Sequence, residues 1–409
     1  MGSVHDAVER AARESYGRLL AFLSARSRDI AAAEDALIDA FEAALSRWPE
    51  SGIPERPEAW LLVAARRRLI DAARRQQTHR QSLPALIAAA AEAEELSSGP
   101  GGLGDERLKL LFISAHPQID PSIRTPLMLQ TILRLDAARI ASAFCVSPDA
   151  MARRLSRAKS VIRNAGIPFE VPEAGELKPR LGAVLEAIYA AYGSGWDDVA
   201  GDDPRRSGLA GEAIHLAQMV TTLLPEEAEP HGLLALMLHC EARHAARRDA
   251  RGAYVPLGEQ DCTLWSYPMI DMAERELARA AAIGNVGRFQ LEAAIQSAHA
   301  NRAVSGRTDW HAVGLLYEGL VRLAPTTGAL VGRAAAIAEL KGPQPGLALL
   351  KDVPEAATRI YQPYWALTGH LLAALGRTAD AREAYDRAIG LCDDPAMRAF
   401  LNGKVAKLR

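Results

Sequence analysis

The sequence predicts an all-α protein, and three observations carry that prediction. Hydrophobic residues make up 49% of the 409-residue chain but aromatic residues only 5%, so there is material for apolar cores and little of the aromatic, β-branched character that strands favour. Apolar positions recur at spacings of three and four residues, the helical period. The C-terminal region divides into helix pairs, the clearest of which repeats after about 35 residues. At roughly 150 residues per domain the length implies two or three globular units.

The first patterned helix is RDIAAAEDALIDAFEAALSRW, in which Ile30, Leu37, Phe41, Leu45 and Trp48 share one stripe and are expected to be buried. Glu34, Asp35, Asp39 and Glu42 fall largely off that stripe and form an acidic face. A loop carrying Pro and Gly, WPESGIPERP, runs from Trp48 to Pro57 and leads into a second helix, EAWLLVAARRRLIDAARRQ. Between Arg66 and Arg75 that helix holds Arg66, Arg67, Arg68, Arg74 and Arg75 against the single Asp71. Trp60 is in phase with Leu61 and Ala64, which favours a core position, whereas Trp48 at the loop edge suits either core or base stacking.

An acidic, Ala-rich run with Glu92, Glu94 and Glu95 passes into LSSGPGGLGD, a linker by composition. Beyond it, LDAARIASAF, a turn at Cys145 and Val146, and PDAMARRLSRAKSVIRNAG form two short helices. Ser147 is a suitable N-cap with Pro148 at the first helical position. Met151, Leu155, Ala158 and Ile162 are expected inside, leaving Arg153, Arg154, Arg157 and Lys159 outside. Two short helices, a tight turn and a basic second member are the pattern of a helix-turn-helix. Pro168, Pro172 and Pro179 then mark a further boundary. The rest is helix pairs, best seen in YWALTGHLLAALGRTADAREAYDRAIGL, where small residues, a Leu-Gly turn and a mid-helix aromatic suggest a tetratricopeptide unit.

The net charge of -2 excludes a nucleic-acid-coating polycation. Up to Gly166, however, 23 basic residues face 20 acidic ones. The four cysteines, Cys145, Cys240, Cys262 and Cys392, have neither disulfide-framework nor zinc spacing. The start, MGSVHDAVERAARES, has no signal-peptide pattern, and no stretch reaches about 18 uninterrupted apolar residues. A cytoplasmic protein without a membrane partner is expected. Nucleotide-loop and zinc-hydrolase motifs are missing from the sequence, as is any recognisable nucleophile with its base, so no enzymatic activity and no cofactor are expected. His231, His239 and His244 lack convergent carboxylates, so no metal is assigned to them, and His116 before Pro117 suits a structural turn.

The ordered series AEDALIDAFEAALSRWPESGIPERPEAWLLVAARRRLIDAARR and SPDAMARRLSRAKSVIR resembles the sigma-70 family, in particular its extracytoplasmic-function group. LKLLFISAHPQIDPSIRTPLMLQTILRL, AIYAAYGSGW and LLYEGLVRLAP resemble the subgroup with a large helical-repeat extension. The resemblance implies sigma region 2 over 1–80, a linker over 81–107, region 4 with a helix-turn-helix over 108–166 and a tetratricopeptide-like solenoid over 167–409. It implies binding of the RNA polymerase core through Glu34, Asp35, Asp39 and Glu42, where a negative face meets a basic partner. Minus-ten recognition is then expected from Trp48, Arg66, Arg67, Arg68, Arg74 and Arg75. Minus-thirty-five readout is expected from Arg153, Arg154 and Arg157, with Lys159 and Arg163 on phosphates. Arg139 and Ala152 depart from the family's usual Glu and polar residue, which bears on promoter preference rather than fold.

Two further readings stand beside this one. A repeat scaffold with a sigma-like N-terminus would serve as an adaptor or antagonist of polymerase, but would not need both the Arg-rich helix and the acidic face. A dimeric repressor would need a dimerisation helix and no loop at WPESGIPERP. The concave face of the repeats is expected to take a protein partner or the chain's own DNA-binding half.

Overall fold

The computed structural model describes residues 4–76, 106–144, 146–196 and 208–408, and no strand occurs among them. The chain forms two compact units, Met1–Ala191 and Tyr192–Arg409.

The first unit begins with α1 (Val4–Ser27), α2 (Ile30–Ser51) and α3 (Pro57–Gln76), each packed on the other two. Leu19, Leu20, Phe22, Leu23, Leu37, Trp48, Leu61 and Leu62 fill their shared core. Arg28 closes α1 in the left-handed region, φ 56, and Asp29 starts α2 by accepting from the amides of Ala31 and Ala32 at 3.1 and 3.2 Å, so two residues suffice for the reversal. Glu58, in the first turn of α3, accepts from Arg18 at 2.9 Å and from the Ser15 hydroxyl at 2.5 Å, which fastens α3 to α1.

Two expectations about α2 are corrected. Its buried face is Ile30, Ala33, Ala36, Leu37, Ala40, Ala44 and Trp48, so the contact surface is built largely on alanine and Leu45 lies outside it, exposed. Small residues let α2 approach its neighbours closely, and the close approach turns the helix away from the stripe drawn through its larger side chains. The helix also continues through Pro49 to Ser51. A proline near the end forfeits one intrahelical bond, the one to the Leu45 carbonyl, and Gly52, with φ 82, then ends the helix. The loop is therefore confined to 52–56.

The same unit continues with α4 (Arg107–Ser114), α5 (Pro121–Thr131), α6 (Ala137–Ala143) and α7 (Pro148–Asn164). His116 lies in the turn between α4 and α5, its carbonyl accepting from the Ile119 amide at 2.9 Å. Ser147 caps α7 by accepting from Ala150, and Met151, Leu155, Ala158 and Ile162 are its buried apolar residues. A long helix, α8 (Ala174–Trp196), carries Leu177, Leu181, Val184 and Leu185 into cores. Arg180 on α8 donates to the Phe112 carbonyl of α4 at 3.4 Å. The first unit accordingly runs to Ala191, past the boundary expected at 167, because α8 as far as Ala191 belongs to it. Segments 1–80 and 108–166 share this one unit. The expected linker, with Glu92, Glu94 and Glu95, lies outside the described residues apart from its last two.

The second unit contains α9 (Leu209–Leu223), α10 (Ala228–Glu241), α11 (Tyr267–Ile283), α12 (Arg288–Ala300), α13 (Arg302–Ser305), α14 (Trp310–Leu323), α15 (Thr327–Lys341), α16 (Pro343–Leu349), α17 (Glu355–Thr358), α18 (Gln362–Ala374), α19 (Thr378–Gly390) and α20 (Pro395–Ala406). The long helices from α9 onward stack each on near neighbours in the chain, which is solenoid packing. The pair α15–α16 recurs as α18–α19, with starts at Thr327 and Gln362 and at Pro343 and Thr378, 35 residues apart in both cases. In the second pair Gly369 lies against the Tyr385 ring, where an added Cβ would come within 2.9 Å. Near the start of the solenoid, α10 is buried on nearly every side, and Glu229 caps α12 from outside by accepting from the Phe289 and Gln290 amides at 3.0 and 3.1 Å.

Candidate polymerase and nucleic-acid interface

The acidic face of α2 divides into two parts. Asp35, Asp39 and Glu42, at helical positions i, i+4 and i+7, are exposed together. Ile38 and Leu45 lie exposed between and beside them, 48% and 42% accessible. The surface is thus acidic with an apolar centre. Sequence periodicity hides it, because the apolar stripe assigns Leu45 to the core and Ile38 is an ordinary helix residue. Glu34 belongs to the other part: its side chain is only 14% exposed and pairs with Lys159 of α7. Burial raises its carboxyl above the usual range, with Lys159 acting in the opposite direction and Asp35 adding to the rise.

On α3, Arg67 and Arg68 are exposed, and Arg68 lies 3.8 Å from the Asp39 carboxylate. Of Arg74 and Arg75 only the helical backbone is described. Arg66 departs from expectation, being 3% exposed with its guanidinium 5.3 Å from the centre of the Phe22 ring. Trp48 departs likewise: it is 1% exposed and packs edge-on against Trp60 with ring centroids 5.5 Å apart. Trp48 faces inward because α2 remains helical past it, which holds the indole in the three-helix core and out of reach of a DNA base.

On α7, Arg153, Arg154 and Arg157 are exposed, as is Ala152. Lys159 is buried against Glu34 rather than outward, and Arg163 donates to the second carboxylate oxygen of Asp29 at 3.3 Å. Arg139 lies at the start of α6, where its amide donates to Asp136 at 2.8 Å. Among the described residues no group of His, Cys, Asp and Glu is placed to hold a metal ion. His231 is instead bonded to Glu276 at 2.6 Å and to the Pro225 carbonyl at 3.2 Å. None of the described helices is long and apolar enough to cross a membrane.

Residues 12–79, which cover most of α1 and all of α2 and α3, match sigma-70 region 2, so this N-terminal module is similar to that of the sigma-70 family. Region 2 is a non-enzymatic module that engages RNA polymerase and promoter DNA. Over 404 residues the chain is 36% identical to a protein of Rhizobium meliloti (strain 1021), named Uncharacterized protein R00370, covering 98% of this chain and 94% of that one. The two belong to one family. Residues 180–281 match a family of unknown function, DUF6596, so the start of the helical extension carries that family's pattern. No solved structure matches the chain.

Proposed function

We propose that this chain is a sigma factor that binds the RNA polymerase core and directs promoter-specific initiation, with the second unit modulating that activity. The match of residues 12–79 to sigma-70 region 2 carries the reading. The exposed face of Asp35, Ile38, Asp39, Glu42 and Leu45 supports it, since a negative surface with an apolar centre suits a basic helical partner on polymerase. Arg67 and Arg68, with Arg74 and Arg75 further along α3, are the proposed contacts to the minus-ten strand. Arg153, Arg154 and Arg157 are the proposed readers of the minus-thirty-five element, as arginine bridges guanine O6 and N7 in the major groove. Lys159 and Arg163 are proposed to hold backbone phosphates once available to DNA. The extracytoplasmic-function and tetratricopeptide assignments belong to the same proposal.

The test is transcription in vitro from a promoter library, using purified core polymerase and the full chain. Promoter-specific transcripts are expected. Their loss with Ile38→Asp/Leu45→Asp, together with loss of core binding, places docking on α2. Replacing Arg153, Arg154 and Arg157 by Ala is expected to weaken promoter binding and flatten its salt dependence while core binding persists. Core binding with no transcript from any promoter would overturn the sigma-factor reading and favour an antagonist of polymerase.

A further inference from the structure

In the second unit, arginines drawn into the fold are matched by carboxylates as a rule, and Arg243 breaks the rule. Arg248 pairs with Asp394, Arg288 with Glu292, and Arg333 with both Asp352 and Glu318. Arg243, just past the end of α10, is only 6% exposed and has no ion pair among the described residues. Its guanidinium donates instead to neutral groups. Nε reaches the His239 carbonyl at 3.2 Å, and one terminal nitrogen reaches Gln296 Oε1 of α12 at 2.6 Å and the Cys240 sulfur at 3.8 Å. The acidic neighbours are engaged elsewhere: Glu241 accepts from the Tyr192 hydroxyl at 3.4 Å, while Glu274 accepts from the Ser297 hydroxyl at 2.6 Å and stands 3.4 Å from His239 Nε2. A buried guanidinium without a counter-charge is costly to desolvate.

The groups around Arg243 add to the surplus of positive charge. Arg302, the first residue of α13, also gives its guanidinium to neutral partners, the Gly258 and Gln260 carbonyls, and lies 5.3 Å from the centre of the Trp265 ring. His299 on α12 is held down to about 4 by burial, then by Arg243 and Arg302, and His239 down to about 4 by burial and then by Arg243. Both imidazoles are therefore neutral and keep one N–H donor each. The indole Nε1 of Trp265, a residue 3% exposed, has no hydrogen-bond partner among the described residues. Gln296, His299 and Arg302 are half-buried rather than enclosed, so the cluster is open to solvent on that side.

We infer that Arg243, Arg302, His239, His299 and Trp265 form a binding site for an oxyanion, the carboxylate or phosphate group of a small ligand. A guanidinium takes either group through paired N–H donors, and the neutral imidazoles and the indole supply further donors without competing charge. The ligand's negative charge also offsets the burial of Arg243, which the protein's own carboxylates leave unmatched. Such a ligand would give the second unit, proposed to modulate initiation, a signal to read. The site itself does not rest on that reading, and its test uses neither polymerase nor DNA.

The experiment titrates the full chain with sodium phosphate and, separately, with sodium citrate by isothermal calorimetry, at an ionic strength held constant with sodium chloride. Saturable binding of at least one anion is expected. Binding of phosphate alone would make the ligand a phosphoryl compound, and binding of citrate alone a carboxylate. Arg243→Gln is expected to weaken the binding at least about tenfold, the ordinary loss with a hydrogen bond to a charged group. Arg333→Gln, which removes an arginine already paired with carboxylates, is expected to bind as the parent chain does. A response to both salts no greater than that to sodium chloride would overturn the site. Full affinity in Arg243→Gln, or equal loss in Arg243→Gln and Arg333→Gln, would overturn it as well. Should Arg243→Gln fail to fold, Arg302→Gln at the half-buried edge is expected to show a similar loss, and unchanged affinity there would overturn the proposal.

Discussion

Each unit of the molecule is closed by a contact between segments far apart in the chain, and the two closures differ in kind. In the first unit Lys159 and Glu34 are both nearly buried and belong to helices with proposed outside partners. In the second, the segment between α10 and α11 reaches the last helix. Arg248 pairs with Asp394 at 2.5 Å, and Tyr254 packs edge-on against Phe400 with centroids 5.3 Å apart. Arg302 supports that segment by donating to the Gly258 and Gln260 carbonyls at 2.5 and 2.9 Å. Asp394 also caps α20, accepting from Ala396 at 2.8 Å and Met397 at 3.3 Å. Its carboxylate is thus engaged in secondary structure as well as in the ion pair, whereas the Glu34 carboxylate accepts from the Lys159 ammonium of α7 and caps no helix. Asp29, the other acceptor in the first closure, caps α2 as Asp394 caps α20, so the two closures share a capped pair and differ at the Lys159–Glu34 pair.

The largest effect is expected from Trp48→Ala, which empties a fully enclosed site in the three-helix core and is expected to cost about 3–5 kcal/mol. Chemical denaturation followed by exchange mass spectrometry is expected to show the loss in the first unit and not in the solenoid. A stable Trp48→Ala protein with impaired promoter melting would instead return the residue to the DNA surface. Next in size is Gly17→Ala, where the new methyl collides with backbone at Ile132 and overpacking is expected to cost about 1–3 kcal/mol. The counterpart in the solenoid, Gly369→Ala, meets the Tyr385 ring, a side chain with more room to shift. Its expected cost is smaller, and equal melting shifts for the two variants would remove the distinction.

The ion pairs themselves respond to pH with opposite sign. Glu34 is held above the usual carboxylate range by burial, with Lys159 lowering it and Asp35 raising it, and Tyr16, Arg134, Asp29 and Arg163 nearby. A carboxyl whose pKa is raised by folding contributes stability that is complete below its ordinary value and is lost as pH rises through the raised one. Asp394 is the reverse. Burial raises it, but the hydrogen bonds from Arg248 and from the Met397 and Ala396 amides outweigh burial and leave it below the usual range. Its contribution is complete above the ordinary carboxylate pKa and is lost as pH falls through the lowered one. Exchange measured at α7 and at α20 between about pH 4 and pH 7 is expected to drift in opposite directions, and parallel drift would contradict the assignment.

How much of this is legible in the sequence depends on what sets each position. The α7 cap and its buried face are legible because Ser147, Pro148 and the apolar repeat act within one helix. The 35-residue repeat is legible where α15–α16 and α18–α19 retain it. The inward positions of Trp48, Arg66 and Lys159 are not, because each depends on which neighbour the helix meets. An alanine-built contact face such as that of α2 gives periodicity little contrast, so larger residues like Leu45 mislead. The pairing of Glu34 with Lys159, 125 positions away, leaves no local signal at all.

The smallest expected effect is also the cleanest separation of docking from folding. Arg68 and Asp39 lie 3.8 Å apart, with their side chains 55% and 51% exposed, so the pair is screened by water and worth less than about 1 kcal/mol. Asp39→Asn is therefore expected to leave melting of the first unit within experimental scatter. Asp39 nevertheless stands between Asp35 and Glu42 on the exposed face of α2, clear of the α7 contact at Asp29 and Glu34. Loss of core-polymerase affinity in this variant, with stability and α7 exchange unchanged, would assign the residue to docking. An unchanged affinity would move the docking energy to Ile38 and Leu45, because a charge at the rim of an interface contributes mainly to the association rate while buried apolar contacts set the lifetime.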